Sequence, residues 1–194
     1  MNKKERILQA TLKELAENGF EKTRVKDIAD KAGVGKGTLY LYFEDKADLY
    51  LSSMEYMMSQ WLKYADDAVN AKGDALFKLN KYFDITVNSV ISNKSFAKLL
   101  MRELPGFLIK VKKDNKKGPM EMYNKRSSQL CQIIEQGKSE GVFRDIDSDI
   151  AVSIIIGSLN TFMMQYIIMS EKFSETKYGR YKKFIIDMLK KEEE

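Results

Sequence analysis

Residues 23–46 read TRVKDIADKAGVGKGTLYLYFEDK and decide the fold of this 194-residue chain. Two short stretches of helical pattern flank a break at residues 33–35. Two helices that cross closely need a small residue at their contact, and the turn between them needs a residue that tolerates a positive φ. Ala29 and Gly33 meet these two requirements. The stretch therefore predicts a helix-turn-helix.

The predicted first helix of this motif spans residues 25–32 with Thr23 as its N-cap, and the second spans residues 36–43. In such a motif the second helix lies in the major groove of DNA, with its N-terminal part toward the base edges. Leu39 and Phe43 are expected to be core residues rather than contacts. The apolar residues expected between the helices are Ile28, Ala32, Val34 and Leu39.

The pattern on both sides of the motif predicts an all-α protein of about nine helices. Asn18-Gly19 is a predicted stop for the first helix. A long helix is predicted from Lys46, with Tyr50, Met54, Met57, Met58 and Trp61 on one stripe. Further helices are predicted at about 75–92, 95–103, 120–137, 149–170 and 175–190. We expect a three-helix domain at residues 1–46 and a larger helical domain at residues 47–194.

The composition argues against an enzyme. The chain contains no histidine, which excludes His bases, His metal ligands and Ser-His triads. Cys131, the only cysteine, is interpreted as a small buried residue in a reducing, cytoplasmic setting. A phosphate-binding loop around Lys36 would need Gly in place of Asp30, and Ser or Thr in place of Gly37. No metal, cofactor or catalytic residue is predicted.

The distribution of positive charge alone would place a nucleic-acid site outside the motif. Residues 1–46 hold ten Lys and Arg against eight Asp and Glu, whereas residues 94–126 hold ten against three. We interpret the second segment as a solvated helix end and loop. Residues 150–169 carry no charge, and a stretch of this length could span a membrane. Six polar or small residues interrupt the apolar stretch, however. A buried helix is preferred to a span, and the N-terminus shows no signal-peptide pattern.

Residues 23–49 resemble the DNA-binding signature of the TetR (tetracycline-repressor) family. Together with its position near the N-terminus, the likeness covers roughly the first 45 residues, and the rest of the chain is similar only in length and helical layout. Two positions depart from the pattern: Gly35 stands where Ser is common, and Tyr42 stands where His is common. The matching elements are Ile28-Ala29, Ala32-Gly33-Val34, Gly37-Thr38-Leu39-Tyr40, Tyr42-Phe43 and Lys46.

The resemblance implies binding to palindromic, double-stranded operator DNA. It implies that Thr23 and Lys46 hold phosphates at helix N-termini. Tyr40 and Tyr42 would contact the backbone or base edges, and packing under the long helix is the alternative for both. The recognition helix has no Arg, so a contact to guanine must come from Lys36 or from outside that helix. The implied DNA contacts are Thr23, Arg24, Lys36, Gly37, Thr38, Tyr40, Tyr42 and Lys46.

The resemblance also implies that residues 47–194 bind an effector and dimerise. The expected effector is a mostly apolar or aromatic small molecule that releases the DNA, and an anion such as an acyl-CoA is the alternative because residues 94–126 are basic. A Met or aromatic stripe at helical spacing is more often plain core than a ligand site, and this alternative applies to each candidate. The candidate pocket residues are Met57, Met58, Trp61, Phe83, Phe96, Leu100, Phe107, Tyr123, Met163 and Tyr166.

A homodimer is expected through the last two helices, at about 149–170 and 175–190. Gly157 and Ser158 would let another helix approach closely, and a two-fold dimer suits a palindromic site. Effector binding would then favour a dimer geometry that no longer fits DNA. The rival to this regulator is a helical protein-interaction module that uses residues 23–46 for protein contacts.

Overall fold

The computed structural model describes residues 2–92, 94–95, 97–99, 102, 118–167 and 172–191. Within these ranges the chain is α-helical, with one isolated antiparallel bridge between Phe143 and Lys190 and no longer strand. The predicted all-α class with an N-terminal helix-turn-helix is confirmed. The eight described helices are α1 (Lys3–Lys22), α2 (Val25–Ala32), α3 (Lys36–Tyr40), α4 (Lys46–Val69), α5 (Ala75–Ser92), α6 (Gly118–Ser139), α7 (Ser148–Ile167) and α8 (Glu175–Leu189).

The chain divides into two compact units. The first unit comprises Met1–Gln60 and Asn93–Met120, and the second comprises Trp61–Ser92 and Glu121–Glu194. Helix α4 therefore contributes residues to both units. The functional boundary that we predicted between residues 46 and 47 lies inside the first unit, and it stays a prediction.

Helix α1 begins with a capping box and is interrupted near its end. The Asn2 side chain accepts a hydrogen bond from the Glu5 backbone N–H at 2.8 Å, and the Glu5 carboxylate accepts from the Asn2 N–H at 3.1 Å. Gly19 has φ 73° and ψ 170°, which interrupts the helix where Asn18-Gly19 predicts a stop. A further turn then continues to Lys22.

A small hydrophobic core joins α1, α2, α3 and the start of α4. Ala29 is 2% exposed and lies among larger apolar side chains, as its predicted role at the helix contact requires. Leu39 and Phe43 are 0% and 2% exposed, which confirms them as core residues. Val34 packs against the cluster and is partly buried. The buried members are Ile7, Leu8, Ala10, Ile28, Ala29, Ala32, Leu39, Phe43 and Leu49.

A second core in the first unit lies between α1 and α4. It buries Leu12 and Leu15 from α1 and Met54 from α4, together with Leu99 from the later part of the chain. Leu99 is 1% exposed, so a residue far away in sequence completes the packing of α1. Met57 and Met58 pack against this cluster and are partly buried.

The second unit is held together by aromatic contacts between α5, α7 and α8. The Phe162 ring stacks on the Tyr181 ring at 4.7 Å, and the Phe83 ring meets Tyr181 edge-on at 6.2 Å. The Tyr178 hydroxyl donates to the Asp84 carboxylate at 2.9 Å, which joins α8 to α5. Burial raises the pKa of Tyr181 to about 12, so its hydroxyl, 2.9 Å from the Ser158 hydroxyl, stays neutral.

The described residues of the chain cover one side of helix α7. Ile155 and Leu159 on one face are buried, while Ile150, Ile154 and Met164 on the other are 60%, 42% and 44% exposed. The buried helix that the sequence predicts is thus buried along one face by the described residues, and the covering of its other face stays a prediction. Among the described helices, α7 is long and apolar enough to cross a membrane, and 39% of its most apolar window is buried.

Candidate nucleic-acid interface

The turn between α2 and α3 has the geometry that the sequence predicts. Gly33 ends α2 with φ 65° and ψ 42°, in the left-handed region where a side chain is strained. The Gly33 N–H donates to the Asp30 carbonyl at 3.1 Å, and the Val34 N–H donates to the Ala29 carbonyl at 3.0 Å. These bonds satisfy carbonyls at the end of α2 and set the direction in which α3 leaves the turn.

Thr23 does not cap α2, contrary to our expectation. The N-cap position belongs to Arg24, whose side chain makes no capping bond. Thr23 instead closes α1, because its backbone N–H and its hydroxyl both donate to the Gly19 carbonyl, at 3.2 and 2.7 Å. Its side chain is buried, and its hydroxyl hydrogen is already donated. The predicted phosphate contact of Thr23 stays a prediction.

Helix α3 is shorter than expected, but its helical turns continue beyond its end. It spans Lys36–Tyr40, whereas the sequence predicts an end at Phe43. The Tyr42 and Phe43 N–H groups both donate to the Leu39 carbonyl at 3.1 Å. The backbone from Lys36 to Phe43 is thus one hydrogen-bonded segment, anchored on the core by Leu39 and Phe43.

Most of the predicted DNA contacts lie on the surface. Tyr40 and Tyr42 are 46% and 42% exposed, so packing beneath the long helix does not explain them. The Lys36 ammonium lies 5.9 Å above the centre of the Tyr40 ring. Thr38 is half-buried. The exposed candidates are Arg24, Lys36, Gly37, Tyr40 and Tyr42.

Lys46 begins α4 and points toward the end of α1. Its ammonium lies 4.4 Å from the centre of the Phe20 ring and 3.4 Å from the Glu21 carbonyl oxygen. Two carboxylates cap the same helix terminus: Asp45 accepts from the Asp48 N–H at 2.7 Å, and Asp48 accepts from the Glu44 N–H at 3.0 Å. The predicted phosphate contact of Lys46 is not tested by this geometry.

An ion-pair cluster that the sequence analysis missed holds α2 against α1. The Lys31 ammonium lies 2.7 Å from a Glu14 carboxylate oxygen and 2.9 Å from a Glu17 carboxylate oxygen. The hydrogen bond from Lys31 holds the pKa of Glu14 below its ordinary value of 4.5, against the opposing effect of burial. Glu14 occupies the apolar stripe that begins at Ile7, and a charge in such a stripe is the signal that could have revealed it.

Arg102 is a second contact that sequence reasoning missed. Its guanidinium Nη2 donates to the Leu15 carbonyl oxygen at 3.1 Å, shortly before the interruption of α1 at Gly19. Leu99, three residues earlier, is buried against α1 and α4. No local pattern reveals either contact, because each joins residues at least 45 positions apart in the sequence.

The effector-pocket candidates are distributed over both units. Phe83 and Met163 are 0% and 2% exposed in the second unit, where they are ordinary core residues. Tyr166 is half-buried and meets Phe173 edge-on at 5.5 Å. Phe96, Leu100 and Phe107 lie outside the described residues, as do the side chains of Trp61 and Tyr123. The predicted pocket therefore stays a prediction.

A small cleft in the second unit is lined by Tyr166, Phe173 and five neighbours. Its volume of about 20 Å³ is room for roughly one water molecule. Ligand pockets for drug-sized molecules have volumes of ~300–1,000 Å³, so the cleft between the described residues is too small for such a ligand. The lining residues are Phe162, Gln165, Tyr166, Lys172, Phe173, Ser174 and Lys177.

Possible metal ligands and the single thiol are two kinds of group that bear on enzymatic chemistry in the described part of the chain. No group of three or more Cys, Asp or Glu residues that could hold a metal ion occurs there. Cys131 is half-buried, less than expected. Burial raises the pKa of its thiol, and the nearby carboxylates of Asp149 and Glu135 raise it further. A neutral thiol is a poor nucleophile, which agrees with the structural role that we predicted for Cys131.

Known proteins share both the motif and the fold. Residues 7–52 match the family model of the bacterial regulatory proteins of the tetR family. A fatty acid metabolism regulator protein of Bacillus subtilis is 24% identical over 168 residues, which cover 86% of this chain and 84% of that protein. The HTH-type transcriptional regulator YerO of Bacillus subtilis is 43% identical over 54 residues, 28% of this chain and 19% of that protein.

One solved structure shows how far the fold is shared. The transcriptional regulator FadR of Bacillus subtilis, in complex with stearoyl-CoA, superposes with a TM-score of 0.80 at 21% identity. The superposition covers 95% of this chain and 98% of that chain. At this identity the likeness shows the fold alone.

Proposed function

The chain belongs to the TetR family of bacterial regulatory proteins, and from this premise we propose that it is a cytoplasmic repressor. It is a DNA-binding transcription regulator rather than an enzyme. In this proposal a homodimer binds a palindromic operator, and a long-chain acyl-CoA thioester releases it. The observation that carries the proposal is the surface of α3. Leu39 and Phe43 are buried in the core, so Lys36, Tyr40 and Tyr42 remain exposed on one rigid segment.

The uncovered face of α7 supports the homodimer. It presents Ile150, Ile154 and Met164 to solvent, and Phe184 on α8 is 70% exposed. Among the described residues, apart from the adjoining backbone of α7 itself, no atom lies within 4 Å of a Cβ added at Gly157, so their packing does not require a glycine there. A second copy of α7 that approaches closely would require one. A symmetric four-helix interface of α7 and α8 would bury this face.

The polar residues on the same face favour a protein partner over lipid. Ser153, Asn160 and Thr161 are exposed among the apolar residues of α7. A polar side chain transferred to an apolar environment costs free energy unless it is hydrogen-bonded, and a protein partner can supply that hydrogen bond whereas lipid chains cannot. Proteins of similar sequence are bacterial transcription regulators, which supports the cytoplasm as the location.

Two observations support an acyl-CoA effector over an uncharged aromatic compound. The structural neighbour from Bacillus subtilis is in complex with stearoyl-CoA, and the relative of similar length is a fatty acid metabolism regulator. Residues 94–126 of this chain hold ten Lys and Arg against three Asp and Glu, which suits a phosphate-bearing head group. An acyl chain would in turn require an apolar site.

Arg102 and Leu99 offer a route from the effector to the DNA-binding surface. Both contact α1 inside the first unit, the guanidinium at the Leu15 carbonyl and the leucine in the core. An effector that displaces these two residues changes the packing of α1, on which α2 and α3 rest. The coupling then needs no contact between effector and DNA, because two dimer geometries of different DNA affinity suffice.

DNA binding is tested with duplexes selected by the protein from a randomised pool. We expect Tyr42→Ala and Lys46→Ala to weaken binding of the selected duplex by roughly tenfold each, because one contact of ~0.5–1.5 kcal/mol is lost in each of two half-sites. Lys63→Ala, which removes an exposed charge elsewhere on α4, is the matched control. If neither Tyr42→Ala nor Lys46→Ala changes DNA affinity while the variants stay folded, the protein-interaction module is the better interpretation.

The effector is tested by adding stearoyl-CoA to the protein–duplex complex at fixed salt. We expect release of the duplex, with no release by coenzyme A alone or by stearate alone, because head group and chain are both recognised. A release that needs only the chain would favour an apolar effector of another class. If acyl-CoA of no chain length releases the duplex, the effector proposal is refuted and the DNA-binding proposal stays intact.

A further inference from the structure

Leu41 is the most exposed large apolar side chain in the described part of the chain, at 83%. It directly follows α3, between Tyr40 and Tyr42, which are also exposed. A single exposed leucine needs no explanation on most surfaces. Here three successive large side chains are all exposed at the end of the recognition helix.

The backbone holds Leu41 in this exposed position. Its φ and ψ of −72° and −21° are helical, and its N–H bonds to the Gly37 and Thr38 carbonyls at 3.2 and 3.3 Å. Leu39 and Phe43, two residues away on either side, are buried in the core. Because both neighbours are fixed inward, the Leu41 side chain cannot turn inward without breaking the core.

The fold gains little from an apolar side chain at this position. Burial of apolar surface stabilises a protein, and a side chain that is 83% exposed contributes almost none of it. The stabilisation that a leucine supplies at position 41 is therefore available only when a partner covers it. Leu41 directly follows Tyr40, whose ring centre lies 5.9 Å from the Lys36 ammonium, on the segment that we propose faces DNA. This position indicates which partner covers Leu41.

We infer that Leu41 reads the methyl group of a thymine in each operator half-site. The thymine methyl is the apolar group that base pairs present in the major groove. Residues 36–43 contain no Arg, Asn or Gln, so among the side chains that usually read guanine and adenine this segment has Lys36 alone. An apolar contact supplies sequence preference where hydrogen-bonding readers are few. The inference rests on the proposed function and specifies what the same surface recognises.

The test uses the selected duplex with each thymine replaced in turn by deoxyuridine, which removes only the methyl group. For the wild-type protein we expect the replacement to matter at one thymine of the half-site. Replacing that thymine in one half-site should lower the affinity about fourfold, which is the factor for removing one methyl group from an apolar contact. For Leu41→Ala we expect thymine and deoxyuridine duplexes to bind equally at that position. Leu41→Met should retain a preference for thymine.

Controls separate this contact from a change in folding. Leu41→Ala should unfold at the wild-type temperature, because the side chain is exposed. Phe77→Ala removes another exposed apolar side chain, 52% exposed in the second unit, and should keep the wild-type preference for thymine.

Three results would overturn the inference. The first is a wild-type protein indifferent to every deoxyuridine replacement, and the second is a Leu41→Ala variant that keeps the wild-type ratio. The third is a Leu41→Ala variant that loses affinity for the thymine duplex and the deoxyuridine duplex equally. That result would indicate a contact of Leu41 to the DNA backbone or to protein. If the pool yields no bound duplex at all, the proposed DNA-binding function fails together with this inference.

Discussion

Replacing Lys31 by methionine removes the charge that pairs with the buried Glu14 carboxylate. Methionine keeps the apolar stem, so the change isolates the ion pair that joins α1 and α2. The Glu14 side chain is 9% exposed and keeps one hydrogen bond, from the Asn18 side-chain amide at 2.9 Å. We expect the free energy of unfolding to fall by about 2 kcal/mol, because a buried charged group that loses its partner costs ~1–3 kcal/mol.

The pH dependence of this loss follows from the pKa of Glu14. Lys31 lowers that pKa in the folded protein, so the pair stabilises the fold above the unfolded value of 4.5. The stabilisation is lost as the pH falls through the folded pKa, where the carboxylate becomes protonated. The wild type should therefore exceed Lys31→Met in stability at neutral pH, and the difference should shrink below about pH 4.

Thermal unfolding followed by circular dichroism measures the effect. A loss of about 2 kcal/mol corresponds to a fall in Tm of roughly 4–8 °C for a chain of this size. Lys26→Met changes an exposed lysine on the same helix and should alter stability by less than ~0.5 kcal/mol. Equal stability of Lys31→Met and Lys26→Met at neutral pH, or a difference that persists in acid, would refute this reasoning.

Three further substitutions test other parts of the account. Gly35→Ser should raise stability by a few tenths of a kcal/mol, because φ −71° accepts a side chain and serine can cap α3; a lower Tm in thermal unfolding would contradict this. Gly33→Ala should lower the free energy of unfolding, measured with urea, by ~1–2 kcal/mol, because Gly33 has a φ of 65° that strains a side chain. An unchanged midpoint of urea unfolding would show that the turn can relax. Phe184→Glu should convert the proposed dimer to a monomer in sedimentation experiments and weaken operator binding more than tenfold. Phe77→Glu is its control, and a dimeric Phe184→Glu would place the interface elsewhere.

The helix-turn-helix was predictable because its requirements are local. Ala29, Gly33 and Leu39 act within a dozen residues of one another, and small size, positive φ and apolar character can each be read from the residue type. Thr23 was misassigned because two acceptable roles compete at one position. A threonine between two helices can cap the second or close the first, and the Gly19 carbonyl decides the choice here.

The contacts of Arg102 and Leu99 could not be predicted from the sequence because they join distant parts of the chain. The charge of Glu14 in an apolar stripe indicated that it needs a partner, but not that Lys31 supplies it. Periodicity shows which residues face a core but not which helix covers them. Helix α7 illustrates the same limit: it is apolar on nearly all sides, so its pattern does not distinguish the covered face from the uncovered one. The DNA contacts and the effector pocket depend on partners, and they remain predictions.

The central claim is that the exposed surface of α3 reads bases, and Lys36→Ala tests it most directly. The measurement is the equilibrium affinity of wild type and variant for the selected duplex and for a scrambled duplex, at one fixed salt concentration. We predict that the variant loses roughly tenfold or more for the selected duplex, since one base contact contributes ~1–3 kcal/mol, and that it loses much less for the scrambled one. An equal loss for both duplexes, or no loss for either, would contradict the claim.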